Sequence, residues 1–161
     1  MNLLAEQIKL AVLSYWRLER QHQLGAIECW NSDVITMTKA LLLTDTEVKT
    51  SIADMRRDLP SKYYKHRRFR ETIRGLEPFT HYFYFAVPLE LAEKASLICD
   101  ERYPYAGLLA YDGQSMICLR NSKRHHRHKA TFREICRIAN IASNNIMKYG
   151  KLLANTNKEK E

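Results

Sequence analysis

No stretch of this chain stays apolar for the roughly 20 residues that a membrane-crossing helix needs, and its first residues lack the basic-then-apolar order of a secretory signal. A cytoplasmic protein without membrane contact is therefore expected. Cys29, Cys99, Cys118 and Cys136 lie far apart and form no C-x-x-C pair, so neither a zinc ribbon nor a disulfide framework is indicated. All four are expected as buried, reduced thiols. Internal repeats and low-complexity segments are also missing, which leaves an ordinary globular domain.

What is present fits that class. Hydrophobic residues make up 45% of the chain and charged residues 27%, and 161 residues suffice for one compact domain but not two. Residues 1–153 are read as that domain and 154–161 as a polar tail. The formal charge of +8 favours a polyanionic partner, nucleic acid before any other.

Leu4, Ile8, Ala11, Val12 and Tyr15 recur at helical spacing, so the chain should open with an amphipathic helix lying on a sheet. Strands are expected at Ala26–Trp30, Asp33–Thr38 and Ala40–Lys49, although the connection around Lys39 has no glycine to shape a hairpin. Ser51-Ile52-Ala53-Asp54 has the pattern of a helix start, and Pro60 should stop or kink that helix. His81–Val87 reads as a central strand, Pro88 as the first turn of a short helix, and Ser96–Cys99, Gly107–Tyr111 and Ser115–Leu119 as further short strands. A capping box at Thr131–Glu134 opens a long closing helix to about Leu152. Strands between N- and C-terminal helices imply an α/β fold around a mixed sheet.

The chemistry concentrates near Glu47-Val48-Lys49. In a strand, residues two apart share a face, so Glu47 and Lys49 project together and Val48 offers its backbone carbonyl. With Asp33 on the preceding strand, this is the layout of a metal-dependent phosphodiesterase. Carboxylates from adjacent strands suit Mg²⁺, with Mn²⁺ as an alternative, and Lys49 can orient water or offset transition-state charge. Glu28 is a candidate third acid. Taken alone the triplet is short enough to arise as a solvated cross-strand face.

The order Ser32-Asp33-Val34, Glu47-Val48-Lys49-x-Ser51, Asp54, Asp58, Lys62, Tyr64 and Phe83-Tyr84-Phe85-Ala86-Val87-Pro88 resembles the MmcB-like DNA repair proteins of the PD-(D/E)XK nuclease superfamily. The likeness runs from about Gly25 to Tyr111. It implies a restriction-endonuclease-like core, with Asp33 and Glu47 as metal-binding acids, Lys49 as the catalytic lysine and Glu28 as an upstream acid. The chain departs from the family at Tyr63, where tryptophan is usual, at the hairpin before Glu47, which lacks its glycine, and at Lys65–Glu77, which reads as an insertion.

From Arg56 to Arg74, eight Lys or Arg stand against two acids, interleaved with Tyr63, Tyr64 and Phe69. Arg56, Arg57, Lys62, Lys65, Arg67, Arg68 and Arg70, with Lys123, Arg124 and Arg127 of the histidine-rich loop, are the expected phosphate contacts. His125, His126 and His128 are read with that loop and not as a zinc site, because the neighbouring cations repel a metal ion. Asp54 and Asp58 are expected to pair with local arginines. A Mg²⁺-dependent endonuclease acting on DNA follows, against the alternative of a non-catalytic nucleic-acid-binding module using the basic segment 56–74. Cutting both strands of a duplex would suit a homodimer, though no interface is marked in the sequence.

Overall fold

The computed structural model describes residues 2–71, 78–126 and 128–158, with side chains through position 151. Helix α1 (Leu3–Ser14) starts where the Asn2 side chain accepts the Ala5 N–H at 3.3 Å, and it runs on into a π-helical turn at Tyr15–Glu19. The strands β1 (Leu24–Cys29), β2 (Ser32–Met37), β3 (Leu43–Val48), β4 (Tyr82–Pro88), β5 (Gly107–Tyr111) and β6 (Met116–Arg120) form one mixed sheet in chain order. The first three make an antiparallel meander, β3, β4 and β5 run parallel, and β6 returns antiparallel on the far edge.

Parallel neighbours require crossover connections, and helices supply both. Helices α2 (Ile52–Ser61) and α3 (Tyr63–Arg70) join β3 to β4, and α4 (Ala92–Arg102) joins β4 to β5. Helix α5 (Phe132–Lys158) closes the chain. The two-residue period of the strands then sorts the core into two sides. Val34, Val48, Tyr84, Ala86 and Leu109 pack with Ile8 and Val12 of α1. On the opposite face, Phe83, Phe85, Val87 and Leu108 pack with α2, α3 and α4, while Ala26, Ile35 and Leu43 pack with Ile138 of α5. Among the described residues, no helix is long and apolar enough to cross a membrane.

Several local expectations are corrected. Ser96–Cys99 belongs to α4 and is not a strand, because Ala92, Ala95, Ile98 and Cys99 recur at helical spacing and are buried together. Pro88 is the last residue of β4, and a 3₁₀ turn at Leu89–Leu91 precedes α4. Pro60 lies within the last turn of α2, and the break comes at Lys62, whose backbone leaves the helix at φ −114°, ψ 39°. The glycine-free turn before β3 closes because Leu41 adopts φ 62° and donates its N–H to the Thr38 carbonyl at 3.0 Å. Cys29 and Cys99 are buried and all four cysteines are free, but Cys118 is half-buried and Cys136 is exposed on the outer side of α5.

Candidate active site

β3 is buried along its whole length, and the charged residues on it face α2 and α3. Asp45 sits opposite Ile35 in the antiparallel register and opposite Phe83 in the parallel one, so Asp45 and Glu47 share the aromatic face of the sheet. Counting two residues along each strand from the Ile35–Asp45 pair brings Asp33 across from Glu47. Beyond the last β2–β3 pair, Val34–Thr46, the Asp33 Oδ2 accepts the Val48 N–H at 2.8 Å and continues the ladder with a side chain. Lys49 Nζ stands 3.7 Å from Glu47 Oε2. Asp33, Glu47 and Lys49 therefore meet at one end of the sheet.

The helices add a set of groups that the sequence reading placed elsewhere. Glu47, only 1% exposed, holds Lys62 Nζ at 2.5 Å on one oxygen and Lys65 Nζ at 2.5 Å on the other. Lys65 also reaches Asp45 Oδ2 at 2.6 Å. Lys62 and Lys65 thus turn inward, and their ammoniums are committed to carboxylates instead of lying on an open phosphate-binding surface. Asp58 pairs with Lys49 and not with an arginine, and its Oδ2 is 2.5 Å from His66 Nε2. His66 Nδ1 in turn lies 2.7 Å from the Tyr105 hydroxyl. Asp54 does pair with Arg57, as expected.

This environment pulls the acids apart. Burial pushes Asp45 up to about 6, with Lys65 and the nearby Ser32 hydroxyl opposing it. Burial also raises Asp33, helped by the neighbouring Glu47 charge. Desolvation acts on Glu47 in the same sense, but the charges of Lys65 and Lys62 outweigh it and hold Glu47 below the usual carboxylate range. For Asp58, burial is likewise overcome, here by the His66 hydrogen bond and the Lys49 charge, so its carboxyl stays well below the ordinary value. Lys49 is raised, because Asp58 more than offsets its desolvation.

Glu28 stands apart from this cluster. Its backbone takes φ 54°, and its carboxylate accepts Lys9 Nζ at 2.8 Å. Lys9, on α1, also contacts Glu6 at 3.0 Å and Asp33 Oδ1 at 3.8 Å, so Glu28 is linked to Asp33 through an ammonium. A lysine at helical spacing with Glu6 was the available signal for Lys9, but nothing local pointed it towards β2.

Of the expected phosphate contacts, Arg56, Arg57, Arg68, Arg70, Lys123 and Arg124 are exposed. Arg67 is half-buried and bonded to Glu71 at 2.8 Å, and Arg127 lies outside the described residues. The histidine-rich loop is packed more firmly than its composition implies. The His125 ring meets Phe69 edge-on, the His125 backbone N–H donates to the His81 carbonyl at 2.9 Å, and the His126 ring lies 3.9 Å from that of His81.

The chain is similar in fold to a protein of unknown function from Silicibacter pomeroyi, with a TM-score of 0.64 over 91% of each chain and 17% sequence identity. At that identity the likeness is one of fold alone. No family model matches the chain. No curated protein matches it.

Among the described residues, no three His, Cys, Asp or Glu side chains converge as a metal-ligand group. Mg²⁺ asks for less, since it is commonly held by one or two carboxylates and keeps several waters. Asp33 and Glu47 with the Val48 carbonyl are such a donor set. The ammoniums on Glu47 already stand as cations against it, and an ion there requires Lys62 or Lys65 to give way.

Proposed function

We propose that this chain hydrolyses phosphodiester bonds in nucleic acid, DNA in the first instance, as a metal-dependent nuclease of the PD-(D/E)XK type that its sequence resembles. One observation carries the reading. The Asp33 carboxylate bonds the amide of Val48, the residue between Glu47 and Lys49, which joins both acids and the lysine at a single strand end. The mixed sheet flanked by terminal helices supports a restriction-endonuclease-like core. Burying so many ionisable groups costs stability that a hydrophobic core would not, and perturbed titratable clusters collect at functional sites.

Lys49, steered by Asp58, presents its charge beside Glu47, where it can orient water or offset charge developing on the phosphate. A divalent ion held by Asp33, Glu47 and the Val48 carbonyl would supply Lewis acidity towards a phosphoryl oxygen. Exposed Arg56, Arg57, Arg70, Lys123 and Arg124 furnish positive charge for the flanking strand, and cutting both strands of a duplex would draw on a second copy of the chain. A role in DNA repair follows from the resemblance.

A second reading, a non-catalytic nucleic-acid-binding module, is favoured by the two lysines that cover both Glu47 oxygens. Incubating purified protein with labelled duplex, branched and single-stranded DNA and RNA in Mg²⁺ or Mn²⁺ separates the two. Cleavage that Glu47→Ala and Lys49→Ala both abolish, and that EDTA stops, supports the nuclease. Salt-sensitive binding without cleavage, unchanged in both variants, selects the binding module.

A further inference from the structure

Next to this cluster the sheet and α3 enclose a cavity of about 390 Å³, which falls within the range of roughly 300–1,000 Å³ that takes small ligands. Its walls are aromatic. Trp30, at the β1–β2 turn, meets Phe79 edge-to-face at 4.5 Å, and Phe69 and Tyr64 complete the lining, with Tyr64 79% exposed at the mouth. Arg137 of α5 lies 5.5 Å from the Trp30 ring centroid and backs it with a cation–π contact, so the ring presents a fixed surface.

The polar groups in this wall are incomplete. Asp45 is 2% exposed and its Oδ2 is held by Lys65, yet its Oδ1 makes no hydrogen bond of ordinary geometry among the described residues, the Ser32 hydroxyl in the same lining being the neighbour that also acts on this carboxyl. The buried Thr80 hydroxyl, in the same lining, also has none. A buried polar atom left unpaired costs free energy, and native structures rarely carry one without a reason. Lys65 joins this cavity to Glu47, and exposed Arg68 stands in its lining. Stacking rings, an unused acceptor, a hydroxyl and the exposed Arg68 guanidinium for a phosphate form the recognition set for an unstacked base.

We propose that this cavity binds one nucleobase displaced from the stack, with a preference for a base bearing an exocyclic amine over thymine. The carboxylate oxygen of Asp45 accepts an exocyclic amine N–H, whereas thymine's single ring donor, N3–H, lies between two carbonyl oxygens that the carboxylate repels. Opening of the wall by a small movement of Lys65 or the Ser32 side chain lets the base reach that oxygen. The inference rests on nucleic acid being the ligand, and it stands whether or not the strand is cleaved.

The test uses the full chain in EDTA and fluorescence anisotropy with labelled strands made only of abasic deoxyribose-phosphate units. One strand carries a single central adenine, one a single thymine, and one no base. The adenine strand should bind about tenfold tighter than the baseless strand, within what stacking of one base supplies. Thymine should fall between them. Tyr64→Ala, at an exposed position that leaves the core intact, should erase most of the adenine advantage, and Asp45→Asn should erase the preference over thymine. Equal binding of all three strands overturns the base pocket and leaves a phosphate-binding protein. Failure to bind any strand overturns the nucleic-acid reading itself.

Discussion

Replacing Asp58 with asparagine removes the negative charge on which two buried groups depend. The Asp58 carboxylate is 1% exposed, touches Lys49 and His66 on separate oxygens, and lies 3.8 Å from Lys62. Breaking a buried ion pair from one side costs about 3–5 kcal/mol, because the partner charge is left buried without compensation. Lys49 keeps a second carboxylate, Glu47, at 3.7 Å, which places the expected loss near the lower end, about 3 kcal/mol. In a chain of this size that lowers the melting temperature by roughly 6–12 °C. Urea unfolding followed by tryptophan fluorescence reads it directly, since Trp16 is buried against the sheet.

Two further readouts tie the loss to charge. The folded-state pKa of Asp58 is held below its unfolded value, so its contribution is fully present above about pH 4 and is lost as pH falls below that. The gap between parent and variant should therefore shrink between pH 7 and pH 3. In a double-mutant cycle with Lys49→Met, removing both groups should cost less than the sum of the single losses by at least about 1 kcal/mol. A single-variant loss under about 1 kcal/mol together with additive effects would refute the network as described.

Other outcomes can be measured alongside. Asp45 has a raised folded-state pKa, so its linkage favours the folded state at low pH and that advantage disappears as pH rises from about 4 through about 6. The stability of Asp45→Asn relative to the parent should accordingly rise across that window by on the order of 2 kcal/mol in chemical denaturation at stepped pH, on top of a pH-independent loss from leaving Lys65 with Glu47 alone. Gly107→Ala sets a Cβ 2.2 Å from the Tyr84 ring and 2.7 Å from the Ser122 backbone nitrogen, so overpacking should cost at least about 1–3 kcal/mol, read as a lower urea midpoint. Arg70→Ala at an exposed position should flatten the dependence of log binding constant on log salt by about one unit in anisotropy titrations, whereas Lys65→Ala should act mainly on stability because its ammonium is already paired. If the order of these two variants is reversed, the inward assignment of Lys65 is wrong.

Much of this protein could be read from residue order because the signals involved are local. The β-branched content of Asp33–Thr38, the continuous apolar aromatic run of His81–Val87, the Ser51 cap that accepts the Asp54 N–H at 3.1 Å, and the Thr131–Glu134 capping box each act within a few residues. Those signals also placed Glu47 and Lys49 on one face and Asp33 on the neighbouring strand. Ser96–Cys99 escaped this reading because a short apolar run fits either a strand or a helix, and only packing on β4 and β5 chose the helix. The basic segment was legible as charge but not as direction. Lys62 and Lys65 read as surface cations in sequence, yet the break at Lys62 between α2 and α3 turns them onto Glu47. The sequence alone determined most of the elements and set Glu47 and Lys49 at the end of one strand, beside the strand that carries Asp33. Tertiary structure decided which charge meets which, because long side chains from a crossover helix can reach a strand only after the parallel β3–β4 pairing has set that helix over it.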